Sequence, residues 1–273
     1  LGKGGLTMNN ITLGQYVPLD SKIHRIDPRI KIIMMIVLMV AVLTVPNFYG
    51  YAFLFVVLTS AVLISKLTIR FVIKAMKPMI VMLVILFILN IFLIRTGEVL
   101  VDFWFIKIHL DAVSQTLFIA FRLMLMIMVT TLLTATTAPL DLTLGIEDLL
   151  KPFERIGVPS HEIAMMISIA LRFIPTLIED TQRIMNAQAS RGVDLDEGKL
   201  KEKISGIISM IVPLFISSYH RAEDLADAME ARGYFPGKER TRYKQLKIRF
   251  SDYAMLALSI LVVVGVRLTG RLG

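Results

Sequence analysis

The sequence contains no cysteine. That excludes disulfides, Cys-ligated zinc and thiol catalysis. Its four histidines, His24, His109, His161 and His220, are scattered without ligand spacing. His161-Glu162 has no second histidine at the zincin interval, so neither a metal site nor another cofactor is expected. No Gly-rich phosphate loop occurs, so the chain is not expected to hydrolyse nucleotide. The apolar runs hold almost no Asp or Glu, which leaves no paired carboxylates for a proton relay. With no catalytic constellation, an enzyme is not expected. Residues 11–29 are polar and contain proline, so no secretory signal is read there.

What is present points to a membrane. Of 273 residues, 55% are hydrophobic, and the mean hydropathy is +0.69. A soluble domain has about 45–50% apolar residues. The net charge of +8 suits anionic lipid and acidic protein surfaces better than nucleic acid in so apolar a chain. Most of the sixteen methionines fall in apolar runs, where a flexible side chain fills gaps.

Leu1 to Thr7, with three glycines before Met8, are expected to be a flexible lead outside the fold. Asp27-Pro28 reads as a helix start: Asp27 caps the free amides, and Pro28 fits a position that needs no N–H. The apolar runs are Ile30–Val45, Phe48–Ser65, Pro78–Ile94, Ala112–Ala138 and Tyr253–Val266. The first two are short against the roughly 20 residues a bilayer core requires. Lys66, Arg70, Lys74 and Lys77 fall on one helical face with no acid among them, as expected of a basic segment at the cytoplasmic surface. Arg95 to Asp111 reads as a loop with an interfacial aromatic cluster, Phe103-Trp104-Phe105. Lys22, Arg25, Arg29 and Lys31 precede or open the first run, and the loop after it has no Lys or Arg. This bias places the N-terminus, and the chain after the fourth run, on the cytoplasmic side of a multi-pass cell-membrane protein.

Between the fourth and fifth runs lies a long insertion. Thr143 to Ile156 reads as a short amphipathic helix that Pro152 bends or ends early. Ser160 is expected to cap the next helix, with Glu162 in its first turn. Ile163 to Leu171 is too short to span by itself, and the helix is expected to resume after Pro175. Ile204 to Tyr219 reads as a sixth span or, in better accord with its frequent polar interruptions, as a helix packed against protein at the membrane surface, so the span count stands at five or six.

The insertion also holds one pattern twice. Ala187-Gln188-Ala189-Ser190-Arg191-Gly192 is followed 41 positions later by Ala228-Met229-Glu230-Ala231-Arg232-Gly233. Alone, an Arg-Gly after a helix is an ordinary terminus, with Gly left-handed and Arg on the negative end of the dipole. Two copies suit a partner with two similar sockets. Arginine's planar fork pairs with carboxylates at interfaces, and small residues behind it allow close approach. Arg122 sits in the middle of the fourth run. It reads as a structural side chain bonded to carbonyls or to Asn90, or as a contact with a second membrane protein.

On these residues the chain resembles the energy-coupling factor transporter transmembrane component, the T subunit of ECF-type ABC importers. The resemblance rests on the segment from Gln15-Tyr16-Val17-Pro18 to Ile26-Asp27-Pro28-Arg29, on Leu133-Thr134-Ala135-Thr136-Thr137-Ala138-Pro139-Leu140-Asp141, and on the paired triplets Ser190-Arg191-Gly192 and Ala231-Arg232-Gly233. It implies a non-catalytic subunit that joins two cytoplasmic ATPases to a small substrate-binding membrane subunit for vitamin or metal-ion uptake. Each triplet would dock in one ATPase: Arg191 and Arg232 as docking ions, Gly192 and Gly233 ending the helices, Ser190 and Ala231 giving clearance.

The expected fold is an all-α integral membrane protein of about five transmembrane helices, with a cytoplasmic coupling domain of amphipathic or crossed helices inserted before the last span. The expected division is 1–29 as N-terminal lead, 30–138 as a four-span domain, 139–250 as the coupling domain, and 251–273 as last span and tail. The competing reading is a self-sufficient secondary transporter or channel, for which Arg122, Pro78 and Asn90 are the relevant residues.

Overall fold

The computed structural model describes residues 16–94, 96, 99–103, 106–192, 200–235 and 246–270. The glycine-rich lead, Gln15, and Trp104 with Phe105 lie outside the described residues. Among the described residues the regular structure is helical apart from one short hairpin. The elements in order are α1 (Pro28–Leu43), α2 (Phe48–Ile64), α3 (Ile69–Leu93), β1 (Val99–Phe103), β2 (Ile106–His109), α4 (Leu110–Thr136), α5 (Pro139–Leu150), a 3₁₀ turn (Lys151–Ile156), α6 (Ser160–Ser190), α7 (Leu200–Ala231) and α8 (Phe250–Thr269).

Among the described residues five helices, α3, α4, α6, α7 and α8, are long and apolar enough to cross a membrane. Three of them are expected spans. The first two expected spans form shorter helices, α1 with 16 residues and α2 with 17. Helices α6 and α7 qualify because they are continuous for 31 and 32 residues. Pro175 and Pro213 do not break them, and Pro78 does not break α3. Each proline removes one backbone bond, which the turns on either side outlast. The short run at Ile163–Leu171 is therefore one part of a single long helix.

Other local expectations are met or corrected by the backbone. The Asp27 side chain accepts from the Arg29 amide, and Pro28 stands at the first helical position. Ser160 does not cap α6. It is the first helical residue, and its hydroxyl donates to Glu154 instead. Helix α5 ends at Leu150, just before Pro152, and the chain tightens into a 3₁₀ turn closed by Gly157 at φ 90°. The segment read as a loop holds the antiparallel pair β1–β2. Its alternation Val99, Val101, Phe103 and Ile106, Ile108 has the period of a strand.

The chain divides into two compact units, one of residues 1–149 with 246–273 and the other of residues 150–245. In the first unit α1, α2, α4 and α8 share a core that includes Val42, Leu54, Leu58, Leu125, Val129 and Val266. Helix α3 leans on α4 and buries only Val72. In the second unit α6 and α7 pack on each other.

Candidate functional site

The two Arg-Gly patterns form two equivalent helix ends. Helix α6 stops at Ser190, whose hydroxyl donates to the Asn186 carbonyl at 2.9 Å. The Arg191 amide donates to Gln188 O at 3.0 Å, and the Gly192 amide to Ala189 O at 3.0 Å. Gly192 takes φ 86°. Helix α7 stops at Ala231 in the same way. The Gly233 amide donates to Glu230 O at 2.8 Å and the Tyr234 amide to Met229 O at 2.9 Å, with Gly233 at φ 76°. That is the pair of bonds by which a left-handed residue closes a helix. A Cβ on either glycine would meet nothing within 4 Å, so the backbone angle alone calls for glycine.

Both triplets are exposed, as are Ala187, Ala189 and Ala228 behind them. Neither Arg191 nor Arg232 has an acidic partner among the described residues. Two exposed guanidinium groups at the negative ends of long helices present themselves to carboxylates from outside.

The helices carrying them are joined by a salt bridge. Arg221 Nη2 of α7 donates to Asp180 Oδ2 of α6 at 2.6 Å, and the guanidinium lies over the Phe173 ring at 5.8 Å. Gln188 Nε2 reaches the Ser209 carbonyl at 3.2 Å. As α6 advances from Asp180 to Gln188, its neighbour on α7 recedes from Arg221 to Ser209, so the helices run in opposed senses. The offset from Asp180 to Arg221 is 41 positions, the same as that between the two triplets. Positions equivalent under a repeat touch one another where an approximate two-fold axis passes between the copies. Arg191 and Arg232 each lie eleven residues past this bridge, roughly 16 Å of helix, on opposite sides of it. Sequence reading missed the bridge. Extending the repeat back to Asp180 and Arg221 would have exposed it as a pair of opposite charges.

In the first unit, Arg122 Nε donates to the hydroxyl of the buried Tyr51 at 3.1 Å, which ties α4 to α2. Asn90 is not its partner, because Asn90 donates to Thr116 Oγ1 at 3.0 Å. The N-terminal segment is bound down more tightly than its composition suggested. The Val17 amide donates to Ala135 O of α4 at 3.0 Å. His24 Nδ1 meets the Ser21 hydroxyl at 2.7 Å and Nε2 meets the Val17 carbonyl at 3.1 Å. A neutral ring protonated at Nε2 satisfies both. Burial lowers the His24 pKa below its usual value, in keeping with that form.

Lys31 turns inward and donates to Thr136 O at 2.8 Å and Thr137 Oγ1 at 3.3 Å, placing its charge on the negative end of α4. Arg29 binds Asp27, reaches Asp148 of α5 at 3.3 Å, and donates to the Leu246 carbonyl at 3.0 Å. Asp148 lies where the chain leaves the first unit and Leu246 where it returns. One side chain thus joins α1, α5 and the start of the returning chain within the first unit. A cavity of about 140 Å³ lies among α1, α2, α4 and α8, walled by Met34, Leu38, Leu58, Val129 and Val262. It touches Lys31, whose donors are already taken, and it lacks the converging polar groups of a solute site.

Comparison with known proteins agrees across nearly the whole chain. A family model described as cobalt transport protein matches residues 20–243. The energy-coupling factor transporter transmembrane protein of Clostridium kluyveri is 44% identical over 266 residues, covering 97% of this chain and 98% of the relative. Its counterpart in Thermosediminibacter oceani is 43% identical over 258 residues, covering 94% and 97%. That of Bacillus subtilis is 40% identical over 256 residues, covering 94% and 96%.

Proposed function

Since this chain belongs to the family of energy-coupling factor transporter transmembrane proteins, we propose that it is the coupling subunit of an ECF-type ABC importer. It is a membrane protein and a transporter component. In the finer reading, it links two cytoplasmic ATPase subunits to a small substrate-binding membrane subunit, and the cargo is a vitamin or a metal ion. Arg191 and Arg232 each enter a groove on one ATPase, with Ser190 and Ala231 allowing close approach and Gly192 and Gly233 turning the chain away. The residues 139–250 then form the coupling domain on the cytoplasmic side.

The observation that carries this reading is the pair of equivalent, exposed arginine ends, without an acidic partner among the described residues, on either side of the Asp180–Arg221 bridge. One socket would need one such end, and two matched ATPases need two. The charge along α6 and α7 supports a place at the membrane face rather than across it: Arg172, Glu179, Asp180 and Arg183 on the first, Arg221, Glu223, Asp224, Asp227 and Glu230 on the second. Charges at mid-bilayer are costly. Closure of the ATPase pair would then move the two arginine ends together, which requires helices that can shift about a shared contact.

The test is the double variant Arg191→Ala/Arg232→Ala. ATP-dependent uptake falls to background and the ATPases no longer co-purify, while the chain still inserts in membrane. Buried interface arginines of this kind contribute about 2 kcal/mol or more each. Undiminished uptake with ATPases still attached would sink the proposal.

A further inference from the structure

Among the described residues, one face of α3 has no partner, and it changes character along its length. Arg70, Lys74 and Lys77 are exposed on it at helical spacing, and Val81, Val84 and Ile88 continue the same line. The three apolar residues are 66%, 53% and 48% exposed. The opposite face, with Val72 buried, is the one turned to α4. Lys66 stands just before the helix with its side chain also exposed, and it holds φ 59°. A glycine would take that angle without strain, so the position retains a fourth cation against backbone preference. None of the four forms an ion pair among the described residues, and no Asp or Glu occurs anywhere from residue 28 to residue 97.

We propose that this face binds anionic phospholipid, with the phosphate held by Arg70, Lys74, Lys77 and Lys66 and the acyl chains lying along Val81, Val84 and Ile88. The dimensions fit one leaflet. From Lys77 to Ile88 the helix rises roughly 16 Å, about half of a 30 Å hydrocarbon core. Arg70 and Lys74 then stand at headgroup level, where long basic side chains carry their charge to the interface. A protein partner would be expected to bring carboxylates to the cations. A lipid meets both halves of the face with one molecule, its phosphate on the cations and its tails on the apolar half. This inference does not depend on the coupling role or on which ATPases bind.

Native mass spectrometry of the full chain, purified in mild detergent and titrated with lipid, tests it. Phosphatidylglycerol binds in preference to phosphatidylcholine, and glycerol 3-phosphate alone does not bind. Arg70→Gln/Lys74→Gln weakens phosphatidylglycerol binding by roughly thirtyfold, from about fivefold per cation removed. Lys22→Gln/Arg25→Gln, which removes the same charge elsewhere, leaves binding unchanged. Equal binding of the two lipids, equal loss in both variants, or no loss in the first overturns the proposal. So does loss of a co-purifying small membrane protein with lipid binding intact, which would make this a protein interface. Should the first variant fail to insert, the wild-type preference between the two lipids decides: no preference refutes the site.

Discussion

The two units of this chain are held together in different ways. In the first, Tyr51, Leu54, Leu58, Leu125 and Val266 are at most 1% exposed, and the helices around them close a core of their own. In the second, α6 buries only Ser160 and Ala164, and α7 leaves Ile208, Ile211 and Phe215 half or more exposed. Its helix pair relies on a salt bridge, a ring beneath it and one amide-to-carbonyl bond. A core that closes on itself suits a frame. A long helix pair with open apolar sides and cationic ends suits a part completed by something else, because so much exposed apolar surface is otherwise unfavourable away from lipid.

That contrast can be broken at its strongest point by paired truncations. Leu54→Ala is expected to destabilise the first unit by about 2–5 kcal/mol, the usual cost of a cavity in a closed core. Phe215→Ala, at a position 69% exposed, should leave thermal unfolding in detergent within about 0.5 kcal/mol. It should nevertheless weaken assembly with partner subunits. Similar melting shifts for both variants would erase the distinction.

A smaller effect tests the bridge. Asp180→Asn leaves Arg221 without its carboxylate and is expected to cost about 1–3 kcal/mol. Hydrogen exchange should rise along both α6 and α7, out to Ser190 and Ala231. In a double-mutant cycle with Arg221→Gln the two losses should fall well short of additive. Simple additivity would mean that the bridge does not hold the helices.

The smallest effect concerns the N-terminal segment. Burial depresses the His24 pKa in the folded protein, so folding favours the neutral ring. The stability this contributes is full above the unfolded value of about 6.5 and is lost as pH falls through the lowered folded value. Proteolysis before α1 should therefore speed up in mild acid, and His24→Gln should flatten that pH dependence. A variant that keeps the full acid response would assign it to another group.

Much of the helical frame was legible in the residues. Asp27-Pro28 begins α1 as its side-chain chemistry requires, and the two Arg-Gly patterns end α6 and α7. Helix continuity was less legible. The apolar run at Ile163–Leu171 reads apart from the helix resuming after Pro175, whereas α6 runs unbroken through that proline because one missing bond does not stop a long helix. Arg122 was readable as a structural side chain, but its partner was not, because Tyr51 lies 71 positions away, beyond any local pattern. The inward turn of Lys31 and the contacts of Arg29 with Asp148 and Leu246 were hidden for the same reason. A basic residue at the start of an apolar run looks like a surface anchor until the end of another helix is placed against it.

The sequence by itself determined the two arginine ends, since a left-handed glycine after a helix depends on the few residues around it. It also determined that most of the chain is built for a bilayer, since length and hydropathy suffice for that. Only the tertiary structure decided that the two ends lie on opposite sides of a single bridge. That arrangement comes from Asp180 meeting Arg221 across 41 positions, and a long-range contact between oppositely directed helices has no local signature.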